Sequence, residues 1–192
     1  MIKNNKYIRI YDLIISITIF LVLCPIFLLL FILCFFDTRN PIFIQERVGK
    51  NKKPFNLFKF RTMRVNTPSL ASHLVNENQV TPFGRYIRKL KLDELPQIIN
   101  VIRGEMSLIG PRPCLFNQIE LIAQREKYKI FLVKPGITGL GQLKGIDMSN
   151  PERLAETDSI MIKNFNQINY FKYLFLTFYG KGIRDSIKTR QS

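Results

Sequence analysis

The sequence predicts an α+β protein, mainly helical, in which a folded domain follows an apolar N-terminal segment. Three observations predict it. Leu13–Phe36 is a run of 24 residues without a charge. Residues 41–62 read as two strands around a polar turn. Of the later stretches, 91–104 and 115–128 read as helices, 150–159 as a helix start, and Ile168–Phe178 as another apolar helical face like that of 91–104. At 192 residues the chain has the length of one ordinary domain.

The apolar run is long enough to cross a membrane, at about 1.5 Å per residue against a hydrocarbon core of about 30 Å. Two features fit another arrangement. Cys24-Pro25 lies at its centre, where proline removes a backbone hydrogen bond and disfavours helix at the residue before it. Both flanks are basic, with Lys3, Lys6 and Arg9 before the run and Arg39, Arg47, Lys50, Lys52 and Lys53 after it. A spanning helix carries its positive bias on one side. These features admit a kinked spanning helix or one that enters, breaks at Pro25 and returns, with arms of about 12 residues that are too short to cross. Arg9 and Asp12, three apart, are spaced to pair with each other. The run is too long for a secretory signal and no small-residue cleavage site follows it.

Pro41–Val48 and Phe55–Met63 form the two strands, with Gly49–Pro54 as the turn. Lys59 and Arg61 share one face of the second strand, and Phe58 and Phe60 the other. Two cations one pleat apart can grip a phosphate, although a solvated basic face has the same pattern. Residues 64–82 are polar, with turn signals at Asn66–Ser69 and Thr81-Pro82. A short basic segment, Phe83–Leu90, follows.

Residues 91–104 are the centre of the chain. Leu95, Ile98, Ile99 and Ile102 give an apolar helical face, and Gly104 ends it. Pro96 fits the first turn, which puts Asp93 at the N-cap and Glu94 just inside. The two carboxylates then sit at the positive end of the helix dipole and face different ways. A cap and an ordinary first-turn acid would explain them alone. Their setting adds more: Arg85, Arg88, Lys89 and Lys91 come just before, Arg103 and Arg112 just after. Acids in so basic a stretch point to phosphate chemistry, with a carboxylate as nucleophile or metal ligand.

Gly110-Pro-Arg-Pro holds Arg112 between two prolines whose fixed φ angles suit either a rigid turn or a phosphate-binding arginine. Residues 115–128 read as a helix. Lys134–Gln142 is a glycine-rich loop without P-loop or dinucleotide spacing, open to close approach by a ligand. Asn150 and Pro151 start another helix. Ile168, Phe171, Phe175 and Phe178 then share a face bordered by Tyr170, Tyr173 and Tyr179, and Gly180 and Gly182 end it. That face fits a core helix or the membrane surface, and its aromatic content and basic tail favour the membrane.

The net charge is +15. Because residues up to Phe36 hold Lys3, Lys6 and Arg9 against Asp12, 13 of these charges belong to the rest. Such a balance calls for an anionic partner. Three cysteines, two of them in the apolar run, make no disulfide framework and suit a reducing compartment. His73 is the only histidine, which argues against a histidine zinc site or a Ser-His triad; it reads as a surface residue.

Phe58-Lys-Phe-Arg-Thr-Met, Leu92-Asp-Glu-Leu-Pro-Gln, Gly104-Glu-Met-Ser-Leu-Ile-Gly-Pro-Arg-Pro and Lys134-Pro-Gly-Ile-Thr-Gly follow an apolar segment with a central proline. In that order they resemble the bacterial sugar transferase family, the monotopic phosphoglycosyl transferases, over nearly the whole chain and at a length like their minimal catalytic form. The resemblance implies a re-entrant membrane helix over residues 1–36, broken at Pro25, and a cytoplasmic catalytic domain over residues 37–192 with a small hairpin and amphipathic surface helices. It implies a monotopic protein on the cytoplasmic face of the bacterial inner membrane. A UDP-sugar would give its sugar phosphate to Asp93, releasing UMP, and polyprenol phosphate (undecaprenol phosphate) would attack the covalent intermediate. Glu94 would assist as base or by positioning. Mg2+ would neutralise the diphosphate with Asp93 as its protein ligand, while Lys59, Arg61, Arg88, Glu105 and Arg112 would bind substrate. The product would enter O-antigen, capsule, exopolysaccharide or glycoprotein assembly by downstream glycosyltransferases, and no nucleic acid partner is expected. The chain departs from the family pattern at Cys24-Pro25, at Leu140-Gly-Gln and at Glu156–Met161, so Asp158 carries over weakly and the sugar stays open. Two other readings compete: a membrane-tethered basic scaffold without catalysis, in which Asp93 is dispensable, and a single-step transferase in which Asp93 only binds metal.

Overall fold

The computed structural model describes residues 6–65, 67 and 77–179; His73, Gly180 and Gly182 lie outside them. Among the described residues helices dominate, and the two sheets have two strands each. Helix α1 spans Lys6–Val22 and helix α2 spans Cys24–Thr38. They meet at Leu23, with Pro25 in the first turn of α2, and bend by 64°. Proline supplies no N–H to the turn before it, so the break falls where the backbone bond is missing. Among the described residues no single helix is long and apolar enough to cross a membrane.

The hairpin forms as expected. Strands β1 (Ile42–Val48) and β2 (Pro54–Phe60) pair antiparallel, with Ile42 opposite Phe60 and Val48 opposite Pro54. Phe60 joins Leu30 and Cys34 of α2 and Ile87 of helix α3 (Pro82–Lys89) in one buried cluster. Thr81 caps α3, its hydroxyl accepting from the Gly84 amide and donating to Asp37 at the end of α2. The bent pair is thereby fixed to the domain at its C-terminal end.

Its N-terminal end is fixed too, and not as the sequence spacing suggests. Arg9 and Asp12 do not form the expected pair. Arg9 donates to the carbonyls of Val101 and Ile102, at 2.6 and 2.9 Å. These close helix α4 (Gln97–Arg103), so a cation sits where the helix dipole is negative. Asp12 accepts from Ser107 Oγ, the Leu108 amide and the Tyr170 hydroxyl, at 3.1, 3.0 and 2.8 Å.

Strand β3 (Ser107–Ile109) runs parallel to β4 (Gly136–Thr138). The glycine-rich stretch is thus strand, followed by helix α6 (Leu140–Leu143), rather than an open loop. Its glycines serve a protein contact: a Cβ on Gly136 or Gly139 would overlap the backbone of Gly110. Helix α5 (Ile119–Lys127) starts four residues later than the sequence suggests, after a turn in which Gln118 Oε1 accepts from the Leu115 amide. Helix α7 (Pro151–Lys163) starts as expected, with Asn150 accepting from the Arg153 amide.

The main core gathers Phe55, Leu57, Val101, Met106, Leu108, Met161, Tyr170 and Tyr173. Helix α8 (Gln167–Phe178) thus turns Tyr170 and Tyr173 inward, as core rather than border, while Tyr179 just after it is exposed. The Ile168, Phe171, Phe175 and Phe178 face points out, with Phe178 91% exposed.

Candidate active site

Local geometry around the acid pair differs from the simple helix start. Lys91 is in the left-handed region, with φ +59°. Leu92–Glu94 is one 3-10 turn, and the regular helix begins only at Gln97, with Pro96 at the cap position. Asp93 is therefore not the N-cap of α4. Tertiary packing decides this boundary. Asn100, wholly buried, donates to the Asn56 carbonyl at 2.7 Å and accepts from the Phe58 amide at 3.1 Å. Gln97, Ile98, Asn100 and Val101 form the buried face, so two polar residues replace Ile99 and Ile102 in the expected apolar stripe. By clamping α4 to β2, Asn100 sets Lys59 against the acid pair.

Glu94 is held twice on one oxygen: Lys59 Nζ lies 2.9 Å and Arg112 Nη2 2.8 Å from Oε1. Burial opposes its charge, but Arg112 and Lys59 together outweigh burial and hold the carboxyl far below the usual range. Asp93 is 7% exposed and goes the other way. Burial pushes its carboxyl up, Lys59 pulls it down, and the neighbouring Glu94 charge pushes it up again; Arg88 and Lys91 also favour the anion. Adjacent acids are thus driven apart, one a committed anion and the other a proton-sensitive group. Such separation marks sites that divide labour between two carboxyls.

Arg112 is positioned by its main chain. In Pro111–Cys114 every carbonyl has a partner: the Gly136 amide on Pro111, Arg125 Nη1 on Arg112, Arg47 Nη1 on Pro113 and the Val48 amide on Cys114. Arg125 is in turn held by Asp158, whose Oδ2 accepts from Nε at 3.1 Å and from Nη2 at 2.7 Å, both side chains 2% exposed. Asp158 therefore acts on the loop through Arg125. Sequence reading did not find Arg47, Asn100 or Arg125. The one available signal was polar residues inside apolar periodicity, as in Gln97-Ile-Ile-Asn-Val-Ile.

The structure gathers Lys59, Asp93, Glu94 and Arg112, with Arg88 buried and near enough for its charge to favour ionised Asp93. Arg61 instead donates to the Asn40 carbonyl at 2.9 Å and lies 5.3 Å from the Phe43 ring centre. Glu105 sits beyond the C-terminus of α4 and accepts from Asn100 at 2.6 Å. Pro25 is in the helix break, as described above.

Fold and site define an α+β domain whose acid pair is set among cations, the equipment of an enzyme that handles phosphate. Comparison with known proteins makes this particular. Residues 3–181 match the family model described as bacterial sugar transferase, and the chain belongs to that family. It is 38% identical over 172 residues to the uncharacterized sugar transferase EpsL of Bacillus subtilis, covering 88% of this chain and 84% of that one. It is 33% identical over 193 residues to the undecaprenyl-phosphate galactose phosphotransferase of Salmonella typhimurium, covering 91% of this chain and 40% of that one. It is also 33% identical over 199 residues to the UDP-glucose:undecaprenyl-phosphate glucose-1-phosphate transferase of Klebsiella pneumoniae, covering 95% and 42%. The chain thus spans about two fifths of the length of several relatives it matches.

Proposed function

We propose that this protein transfers a sugar 1-phosphate from a UDP-sugar to polyprenol phosphate, in two steps through Asp93. In the first, a carboxylate oxygen of Asp93 bonds to the sugar-side phosphorus while the bond from that phosphorus to the bridging oxygen breaks. UMP leaves with the electron pair. In the second, a phosphate oxygen of the polyprenol phosphate bonds to the same phosphorus, and the Asp93–phosphorus bond breaks to give polyprenol diphosphate sugar. A covalent route divides one difficult displacement into two easier ones.

The observation that carries this reading is the inequality of the acid pair. Glu94 is occupied by Lys59 and Arg112, which hold its carboxyl down, whereas burial raises the Asp93 carboxyl against the pull of Lys59, Arg88 and Lys91. Glu94 then serves to hold Lys59 and Arg112 in place, and those cations, with Arg88, stabilise charge on the phosphoryl oxygens.

Among the described residues there is no cluster of three or more metal-binding side chains. That suits a magnesium ion brought with the diphosphate, since Mg2+ commonly takes one or two carboxylates and leaves the rest to phosphate and water. Asp93 would hold it, and the ion would neutralise diphosphate charge.

The proposal also places the site at the cytoplasmic face of the bacterial inner membrane. The first 36 residues would be a re-entrant membrane element and residues 37–192 the catalytic domain. The 64° bend at Leu23, the exposed apolar faces of α1, α2 and α8 and the names of the relatives support that reading. The lipid product would pass to downstream glycosyltransferases.

The test is UMP release from a panel of UDP-sugars with magnesium and undecaprenol phosphate, for wild type and Asp93→Asn, together with exchange of labelled UMP into the UDP-sugar without acceptor. Release and acceptor-free exchange, both lost in the variant, are expected. Release without exchange would overturn the covalent step, and an active Asp93→Asn protein would overturn the role of Asp93.

A further inference from the structure

A cavity of about 450 Å³ lies on the other end of α4 from the acid pair. Lys6, Arg9, Lys50 and Lys134 line it, against the single acid Asp12. Asp12 is already taken by Ser107, Leu108 and Tyr170. Arg9 Nη2 and Lys134 Nζ lie 3.3 and 3.5 Å from the point a Cβ on Gly104 would occupy, so the two cations are neighbours. Lys134 is half-buried and its ammonium has no hydrogen bond or ion pair among the described residues. Burial first, and then the Arg9 charge, lower its pKa. Asp12 is the one acid in the lining whose charge reaches both cations, and its hydrogen bonds go to Ser107, Leu108 and Tyr170. Adjacent, partly desolvated cations that outnumber their acid make a seat for an anion.

The rest of the lining says what carries the anion. Ile8, Leu132, Ile162 and Phe165 form an apolar wall. The one uncharged polar side chain is Ser107, and its hydroxyl is spent on Asp12. Among the described lining residues no uncharged polar side chain is left to read the edges of a nucleobase or the hydroxyls of a sugar. On the two helices that supply Arg9 and pack near Phe165, Tyr7 and Ile10 of α1 and Ile168 and Phe171 of α8 are exposed, and the Tyr11 and Phe171 rings lie 5.2 Å apart at a 55° tilt, joining α1 to α8. Cations at the mouth of an apolar surface match an anionic amphiphile.

We propose that this cavity binds the headgroup phosphate of an anionic glycerophospholipid. The phosphate rests on Lys6, Arg9 and Lys134 and the glycerol and first acyl carbons on the apolar wall. The site goes beyond the transfer reaction, although it rests on the reading that the protein works at a membrane. It is not a reaction site: α4 puts about 10 Å of helix between the Arg9 end and the acid pair, whereas reacting atoms must approach to about 3–3.5 Å. Because Arg9 also closes α4, lipid bound here would fix that helix, and with it the acid pair, relative to the bilayer.

The experiment titrates the full chain, in neutral detergent, with dihexanoyl phosphatidylglycerol by calorimetry, for wild type, Lys134→Gln, Lys6→Gln, Lys134→Arg and Asp93→Asn. Saturable binding is expected, weakened about tenfold or more by either glutamine, which corresponds to about 1.4 kcal/mol. Lys134→Arg and Asp93→Asn should bind like wild type. Competition separates the sources of phosphate. Displacement by UDP would overturn the proposal by making the cavity part of the donor site. Equal affinity for inorganic phosphate would overturn the lipid assignment, and tighter binding of a short polyprenyl phosphate would make it an acceptor site. Binding unchanged in Lys134→Gln would also overturn it. Wild type that releases UMP but binds no phosphatidylglycerol overturns this site alone; binding without UMP release from any donor overturns the transferase reading alone.

Discussion

Arg112 reaches from the loop after β3 to Glu94, with Nη2 2.8 Å from Oε1. Lys59 takes the same oxygen from the hairpin, so one carboxylate joins three segments remote in sequence. Asp93, next to it in the chain, is buried and lies within the fields of Lys59, Arg88 and Lys91.

Asp93→Asn should retain the fold, since Asn matches the shape and Asp93 is not a helix cap. It should lose UMP release by on the order of 10³-fold or more, as removal of a nucleophile does. Thermal melting together with UMP release checks this; wild-type rates in the folded variant would refute it.

Glu94→Gln should destabilise the protein by about 2–4 kcal/mol, because it leaves half-buried Lys59 without the carboxylate it is hydrogen-bonded to. Lys59→Met should recover part of the loss in a double-mutant cycle. The pH dependence has a definite sign. Glu94 is held below its ordinary 4.5, so its contribution is complete above 4.5 and is lost as pH falls through the lower, folded value. Denaturation between pH 3 and 7 should show an acid slope shallower in Glu94→Gln.

Asp93 sets the opposite limb. Burial raises its carboxyl above the ordinary 3.8, so folding favours its protonated form and that stabilisation fades as pH rises. The nucleophile is the anion, hence kcat/KM should climb with pH along a limb lying above that of a free aspartate. Lys59 pulls Asp93 down, so Lys59→Met should move the limb to higher pH, whatever it does to the plateau. A limb unmoved in that variant would separate Lys59 from Asp93.

Asp158→Asn strips Arg125 of its buried carboxylate and should cost about 3–5 kcal/mol. Arg125→Met with Asp158→Leu replaces the pair by apolar volume and should fold nearly as well as wild type. It still removes the donor to the Arg112 carbonyl, so kcat/KM should drop about tenfold while stability holds. Full activity in the double variant would make the pair purely structural.

Gly136→Ala would drive a methyl into the Gly110 backbone and should cost about 3 kcal/mol or more. Gly145 has φ +67° and nothing within 4 Å of its missing Cβ, so Gly145→Ala should cost only about 1–2 kcal/mol from backbone strain. Chemical denaturation of the two proteins gives the comparison.

Local signals were readable where a residue's own backbone chemistry decided the outcome. Pro25 broke the apolar helix, Gly104 ended α4 in the left-handed region, and Asn150-Pro151 opened α7. Reading failed where packing chose between local options. Pro96 is as compatible with a cap as with a first turn, and the Asn100 clamp on β2 set the start of α4 at Gln97. Tyrosine and phenylalanine alternate on α8 with similar hydrophobicity, and the Asp12 carboxylate decided that Tyr170 faces inward.

By itself the sequence determined the mixed, mainly helical class, the hairpin, the helix break and the acid pair among cations, because each is written in contiguous residues. Only the tertiary structure decided that Arg9 and Asp12 bind opposite elements rather than each other, and that Glu94 takes both Lys59 and Arg112 while Asp93 does not. Asp12 and Tyr170 are 158 positions apart. A buried carboxylate takes whichever donors the fold brings to it, and periodicity along a chain carries no information about partners at such separation.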